Sequence, residues 1–303
     1  MAGNIVPIYH TERGCIFHGK CEDYFLRNKN TFQHNPANLI LTSPPFPLNR
    51  AKKYGNMTGS EYLEWIRSLA PLFSSVLAED GSVVIEIGNA WLPNVPEQST
   101  LPMEALLAFK ESGKFHLCQE FIHFNPAKLP APIEWVNKRR IRVKDSFTRI
   151  WWLSKSSFPK ANNRNVLDSY SKQMKKLLKS GKYNAGLRPS EHLIGQESFT
   201  NNNGGAIPAN VLIASNTISK DDYLSFCKDN KLEIHPARMP KDIPDFFIRF
   251  LTEEEDLVVD PFAGSNTTGC VAESLKRRWL SIEAEKKYID GSLGRFCNAI
   301  LGE

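Results

Sequence analysis

No stretch of the 303 residues approaches the roughly 18 to 20 uncharged apolar residues that a membrane-spanning helix requires. Met1 to His10 also lacks the charged-then-apolar order of a secretory signal. A soluble, cytoplasmic protein without membrane partners is therefore expected. The six cysteines are dispersed and contain no C-x-x-C pair, which leaves neither a zinc ribbon nor a dithiol redox motif in view. Reduced thiols acting as small buried hydrophobes are the ordinary expectation. Internal repeats are missing too, and the one low-complexity patch, Asn201 to Gly205, reads as a turn. What is present suffices for a folded core: 41% hydrophobic, 11% aromatic and 23% charged residues.

Charge of one sign is scarce only locally. Between Asn137 and His192 there are fifteen Lys and Arg against three Asp and Glu, a local charge of +12. The whole chain carries +5, so the remainder is acidic at −7. A concentrated basic segment interleaved with aromatics and amides suits a polyphosphate partner, because each neutralised phosphate releases counterions.

Apolar runs alternate with amphipathic segments from Cys15 to about Leu153, fade between Ser154 and Ile234, and resume after His235. The pattern predicts strands over 15–18, 37–42, 81–87, 115–124, 147–153, 256–260 and 278–283. Helices are predicted over 59–77, 102–111, 169–178, 243–252, 267–275 and 286–300. This is an α/β fold with a parallel-rich sheet, divided into residues 1–154, an inserted basic module 155–234, and residues 235–303.

Leu257 to Gly269 reads as an apolar strand, a small-residue loop and a helix start, which places a ligand crevice at the carboxyl edge of the sheet. Gly264-x-x-x-x-Gly269 is followed by Cys270-Val271 and not by Lys-Ser/Thr, which excludes a Walker A loop. Asn266 stands where the dinucleotide motif G-x-G-x-x-G needs its second glycine. A carboxylate, Asp260, heads the loop, and a second, Glu283, ends the next strand. An acid at that distance suits ribose hydroxyls. Acids at both points without a phosphate-binding lysine fit S-adenosylmethionine, which has a ribose and a cationic amino-acid end.

The strand Asn38 to Thr42 runs straight into Ser43-Pro44-Pro45-Phe46. Two prolines with fixed φ and no N–H end the strand and leave a rigid turn lined with hydrogen-bond acceptors. Such a turn can take both hydrogens of an exocyclic amine, with Phe46 as a stacking surface. Accepting those hydrogens localises the nitrogen lone pair and turns a poor nucleophile into a better one. None of the cysteines follows a proline, which disfavours methylation at cytosine C5 through a Pro-Cys nucleophile.

Together, Thr42-Ser43-Pro44-Pro45-Phe46 and Asp260-Pro261-Phe262-Ala263-Gly264-Ser265 closely resemble the catalytic and cofactor motifs of the amino-group DNA methyltransferases. Catalytic motif first and cofactor loop late is similar to their circularly permuted β group. Ser before the prolines resembles the cytosine-N4 members, whereas adenine-N6 members, the alternative, more often carry Asp or Asn. Phe124 to Pro130, Pro132 to Arg139 and His235 to Arg238 look most like PvuII-type modification methyltransferases. The resemblance implies a Rossmann-like sheet with a target-recognition module between its halves, S-adenosylmethionine as methyl donor, duplex DNA as partner, a flipped base, and no metal. It implies that Ser43, Pro44, Pro45 and Phe46 hold the target amine and base, that Asp260, Phe262, Gly264 and Ser265 bind the cofactor, and that Glu283 takes its ribose. His235 to Pro240 would lie near the methionine end. A restriction nuclease sharing the site, without being a physical partner, is the implied companion, and CAGCTG would be the site if specificity followed. Two positions depart from the pattern: Asn266, where glycine is usual, and Lys20, where an acid near the cofactor adenine is usual and Glu22 or Asp23 are the nearby acids.

Overall fold

A computed structural model describes residues 6–46, 59–196, 198–215 and 221–302. The chain divides into two compact units, Met1–Ala161 with Asn210–Glu303, and Asn162–Ala209.

Among the described residues, the first unit is built on a ten-stranded sheet. Its strands in chain order are β1 (Tyr9–His10), β2 (Gly14–His18), β3 (Ala37–Thr42), β4 (Leu77–Gly88), β5 (His116–Phe124) and β6 (Phe147–Ser154), and, after the second unit, β9 (Val211–Ile213), β10 (Leu257–Asp260), β11 (Arg278–Glu283) and β12 (Ile300–Leu301). The spatial order is β12-β1-β2-β11-β10-β3-β4-β6-β5-β9. From β2 through β4 neighbours run parallel, while β6 lies antiparallel between β4 and β5. The sheet is therefore mixed, and the late strand β10 sits beside the early strand β3, with Val258 opposite Leu39 and Val259 opposite Ile40.

Leu39, Ile40 and Leu41 are all fully buried because helices cover both faces of the centre. On one face lie α1 (Cys21–Arg27), α2 (Lys29–His34), α3 (Gly59–Val76) and α4 (Leu101–Gly113). In α3, Ile66, Leu69, Phe73 and Val76 recur at helical spacing and are buried. Each such side chain stabilises the fold by about 2 kcal/mol on transfer from water. The opposite face is closed by α7 (Asp242–Leu251) and α8 (Thr267–Ser274), whose Ile243, Phe247, Leu251 and Val271 join a second core cluster. The second unit holds α5 (Lys172–Ser180), capped by Ser171 Oγ, and the short pair β7 (Gly186–Leu187) and β8 (Leu193–Ile194).

One expectation changes. The helix expected over 286–300 is only α9 (Lys286–Ser292), followed by a 3-10 turn at Leu293–Arg295. The chain leaves the helix there because Arg295 is drawn onto Ser265 and Ile300–Leu301 pair with β1 as an edge strand. Within residues 155–234, Asn162–Ala209 form the compact second unit, β9 extends the main sheet beside β5 and α6 (Asp222–Asp229) packs with the C-terminal segment. None of the described helices is long and apolar enough to cross a membrane.

Candidate active site

Parallel pairing brings the ends of β3, β10 and β11 to one edge, where the two sequence motifs meet. Thr42, the last residue of β3, donates its hydroxyl to Asp260 Oδ1 at 2.7 Å. The same oxygen accepts the Phe262 N–H at 3.1 Å, and Thr268 also bonds this carboxylate. Asp260 thus couples the turn Ser43 to Phe46 to the glycine loop. The Phe46 ring rests against Gly88 at the end of β4, where a Cβ would stand 2.5 Å from Cδ2 of the ring. A glycine is required for that approach.

The loop is held from three sides. Gly264 has φ 51°, and its N–H donates to Glu283 Oε2 at 2.7 Å. The other Glu283 oxygen accepts from Glu285 N at 2.9 Å. Asn266 occupies the left-handed region at φ 53°, which Asn tolerates better than most residues, so the position that departs from the expected glycine keeps a glycine-like backbone. Its amide is fully enclosed, donating to Tyr9 Oη and accepting from Ser281 Oγ. Ser265 is anchored from behind by Arg295, whose guanidinium donates to its carbonyl and hydroxyl.

These groups line a cavity of about 720 Å³. Ser43, Pro44, Pro45, Phe46, Asp260, Phe262, Gly264, Ser265 and Glu283, the residues singled out in the sequence, all contribute to its wall. Asp260 is only 4% exposed and Ser265 3%, so both chiefly shape the loop, whereas Phe262 is partly open, its ring edge-on to Trp65 at 5.6 Å. Sequence reading missed Trp65 and Tyr62 from α3, which also line the cavity. They fall on the helix's apolar spacing and carry no motif of their own. Of the acids near Lys20, Glu22 reaches the wall, where Oε1 accepts Trp65 Nε1–H at 2.9 Å, and Asp23 does not.

Burial sets the charge state of the wall. Desolvation pushes Asp260 up from 3.8 to about 6, against hydrogen bonds from Thr268, Thr42 and Phe262 that pull it down, and it raises Glu283 as well. His235 is driven the other way, down to about 4, chiefly by burial. Its neutral ring packs edge-on to Tyr288 at 4.4 Å, with Nδ1 accepting from Ala237 N. A cavity with two carboxylates and an uncharged imidazole suits a cationic guest of nucleoside size.

The opposed shifts predict a pH signature. Between pH of about 4 and 6, folded Asp260 keeps a proton that the unfolded chain releases, so its contribution to stability falls as pH rises. His235 stays neutral when folded but protonates in the unfolded chain, so its contribution rises with pH between about 4 and 6.5. Asp260→Asn removes the falling contribution. Its stability, from urea unfolding at each pH, should climb more steeply than that of the unsubstituted protein from pH 4.5 to 6.5. Parallel curves would contradict the raised Asp260.

A sheet of this kind with a proline-rich turn and a glycine loop sharing one cavity defines an amino-methyltransferase fold. Residues 37–293 match the N6/N4 DNA methylase family, and the chain belongs to that family; it is an S-adenosylmethionine-dependent DNA methyltransferase. Among curated proteins it is similar to the type II methyltransferase M.PvuII of Proteus hauseri, 44% identical over 98% of this chain and 88% of that one. It is also similar to M.HindIII of Haemophilus influenzae, 24% identical over 78% of this chain and 70% of that one. Among solved structures, PvuII DNA methyltransferase (cytosine-N4-specific) superposes with a TM-score of 0.75 at 38% identity, covering 97% and 90% of the two chains. The M1.HpyAVI–SAM complex shares the fold at a TM-score of 0.53 and 18% identity, covering 92% and 97%.

Proposed function

We propose that the protein transfers a methyl group from S-adenosylmethionine to the N4 amine of a cytosine flipped out of duplex DNA, as the modification part of a restriction-modification system. The observation that carries this reading is the 2.7 Å bond from Thr42 to Asp260, which sets the amine-binding turn and the cofactor loop in one cavity. The similar PvuII enzyme, cytosine-N4-specific by name, supports the choice of base.

S-adenosylmethionine supplies the methyl group on a sulfonium, and the chain's residues do the rest. Ser43 Oγ and the Pro44 carbonyl accept the two amine hydrogens and favour a tetrahedral nitrogen. Pro44 and Pro45 keep those acceptors rigid, and Phe46 stacks on the base. Gly264 and Phe262 line the methionine side, Asp260 and Ser265 hold the loop in shape, and Glu283 offers its remaining lone pairs to the ribose hydroxyls. In-line displacement needs no covalent enzyme intermediate. Flipping costs a few kcal/mol, which stacking and DNA contacts offset.

Residues 1–154 and 235–303 are the two halves of the catalytic domain in circularly permuted order, and 155–234 hold the target-recognition module. Within that module, α5 carries Lys172, Lys175, Lys176 and Lys179 in nine residues, a charge density suited to phosphates. The test is to incubate the protein with unmethylated genomic DNA and methyl-labelled S-adenosylmethionine, digest to nucleosides and identify the labelled base. Label on N4-methylcytosine is expected. Label on N6-methyladenine would overturn the reading of Ser43, and label only on RNA in competition would overturn the choice of substrate.

A further inference from the structure

The connection between β5 and β6 leaves the sheet at the catalytic edge. Phe124 pairs with Phe147, and Thr148 pairs with Gly88, the residue against which Phe46 rests. Asn89 then donates to Asp145 Oδ1 at 2.8 Å and to the Phe147 carbonyl at 3.3 Å, which fixes the base of this connection beside the amine-binding turn.

Residues 125–146 form a packed arm. A short π-helical turn at Glu134–Lys138 buries Trp135, whose carbonyl accepts from Ile141 N and Arg142 N. Lys144 Nζ donates to the Pro126 and Lys128 carbonyls and ties the segment carrying Leu129 to the segment carrying Val143. Despite this order, Val143 is 86% exposed and Leu129 80%. Both are among the most exposed large apolar side chains of the described residues, and they sit on the two segments that Lys144 ties together. The arm also carries six Lys and Arg against two acids. Among the cations, Arg140 takes the left-handed φ of 55° just beyond the helical turn, a place where Gly or Asn is usual.

We propose that this arm inserts into duplex DNA, with Val143 and Leu129 as an apolar wedge that fills the stack vacated by the flipped base and Arg140 as a phosphate contact. The occupant follows from charge and place. Lys128 beside Leu129, and Arg142 and Lys144 on either side of Val143, give the apolar pair a cationic collar in sequence that matches a polyanion with a stacked interior, and wedges of this chemistry part base steps in other DNA-binding proteins. A protein partner would not call for the collar, nor for a position beside Phe46. The inference rests on the methyl-transfer reading above and adds the side chains that stabilise the open duplex.

The test uses the full chain and a duplex carrying the sequence found modified in genomic DNA treated with the unsubstituted protein. In one duplex the target cytosine pairs with guanine; in the other it faces adenine, so that little pairing is lost on flipping. The double variant Val143→Gly, Leu129→Gly should methylate the paired duplex at least tenfold more slowly, and the mismatched duplex within about twofold of the unsubstituted rate. Arg140→Ala should instead weaken binding to both duplexes equally and lower the salt-dependence slope by about one. Equal rates on the paired duplex, or equal slowing on both, would overturn the wedge. Methylation of genomic DNA by neither protein would overturn the proposed function itself, and the wedge with it.

Discussion

Ser43→Ala should retain S-adenosylmethionine binding and lose methyl transfer by about 100-fold. Among the described residues, the turn is held by contacts other than the Ser43 hydroxyl. Thr42 is bonded to Asp260 on one side, Pro44 and Pro45 fix the backbone, and Phe46 is seated on Gly88 on the other. The substitution therefore removes one acceptor from the amine with little other change. As the nitrogen attacks, positive charge develops on it, and the bond to Ser43 becomes charge-assisted. Bonds of that kind contribute about 1.5 to 3 kcal/mol, or roughly 10- to 150-fold in rate. Because the interaction strengthens only in the transition state, kcat should fall while KM for the cofactor stays level. Steady-state kinetics with tritiated methyl donor reads both, and an unchanged kcat would remove Ser43 from the chemistry.

The second large effect concerns the cofactor. Gly264→Val should weaken S-adenosylmethionine at least 100-fold, about 2.7 kcal/mol. Three constraints meet at this residue: φ of 51°, an N–H held by Glu283, and a Cβ direction that ends 3.0 Å from His235 Nε2. A β-branched side chain is strained in the left-handed region, and its methyls would press on a ring already wedged against Tyr288. Moving the loop to relieve the clash breaks the bond to Glu283, the carboxylate assigned to the ribose. Gly264→Ala, with one carbon to place, should cost about tenfold. Isothermal titration with S-adenosylmethionine separates these cases, and equal affinity in the Val variant would mean that the loop is not the cofactor cradle.

Much of this site is local in sequence. A strand that ends in Ser-Pro-Pro-Phe, and another that ends in Asp-Pro-Phe-Ala-Gly-Ser, announce their turns through proline geometry and small residues. The central strands were equally legible, because an uninterrupted run such as Leu39-Ile40-Leu41 has few other uses. Less legible were α1, α2 and α6, short helices whose stability comes from what they pack on, and the C-terminal segment after Ser292. There the apolar spacing of Ile289, Leu293 and Phe296 continues a helical pattern, while the attraction of Arg295 to Ser265 and the open edge of β1 draw the backbone elsewhere.

By itself the sequence determined the local features: a rigid turn lined with acceptors, a small-residue loop headed by a carboxylate, and the place where positive charge gathers. These properties reside in a few consecutive residues and follow from φ restriction, missing donors and charge count. Only the tertiary structure decided which residues meet. That Thr42 would reach Asp260 across 218 positions, that Trp65 and Glu22 would join the wall, and that the arm 125–146 would stand at the catalytic edge all depend on strand order. Strand order is set by long-range burial across two helix layers, a property of the whole sheet that no window of the chain contains.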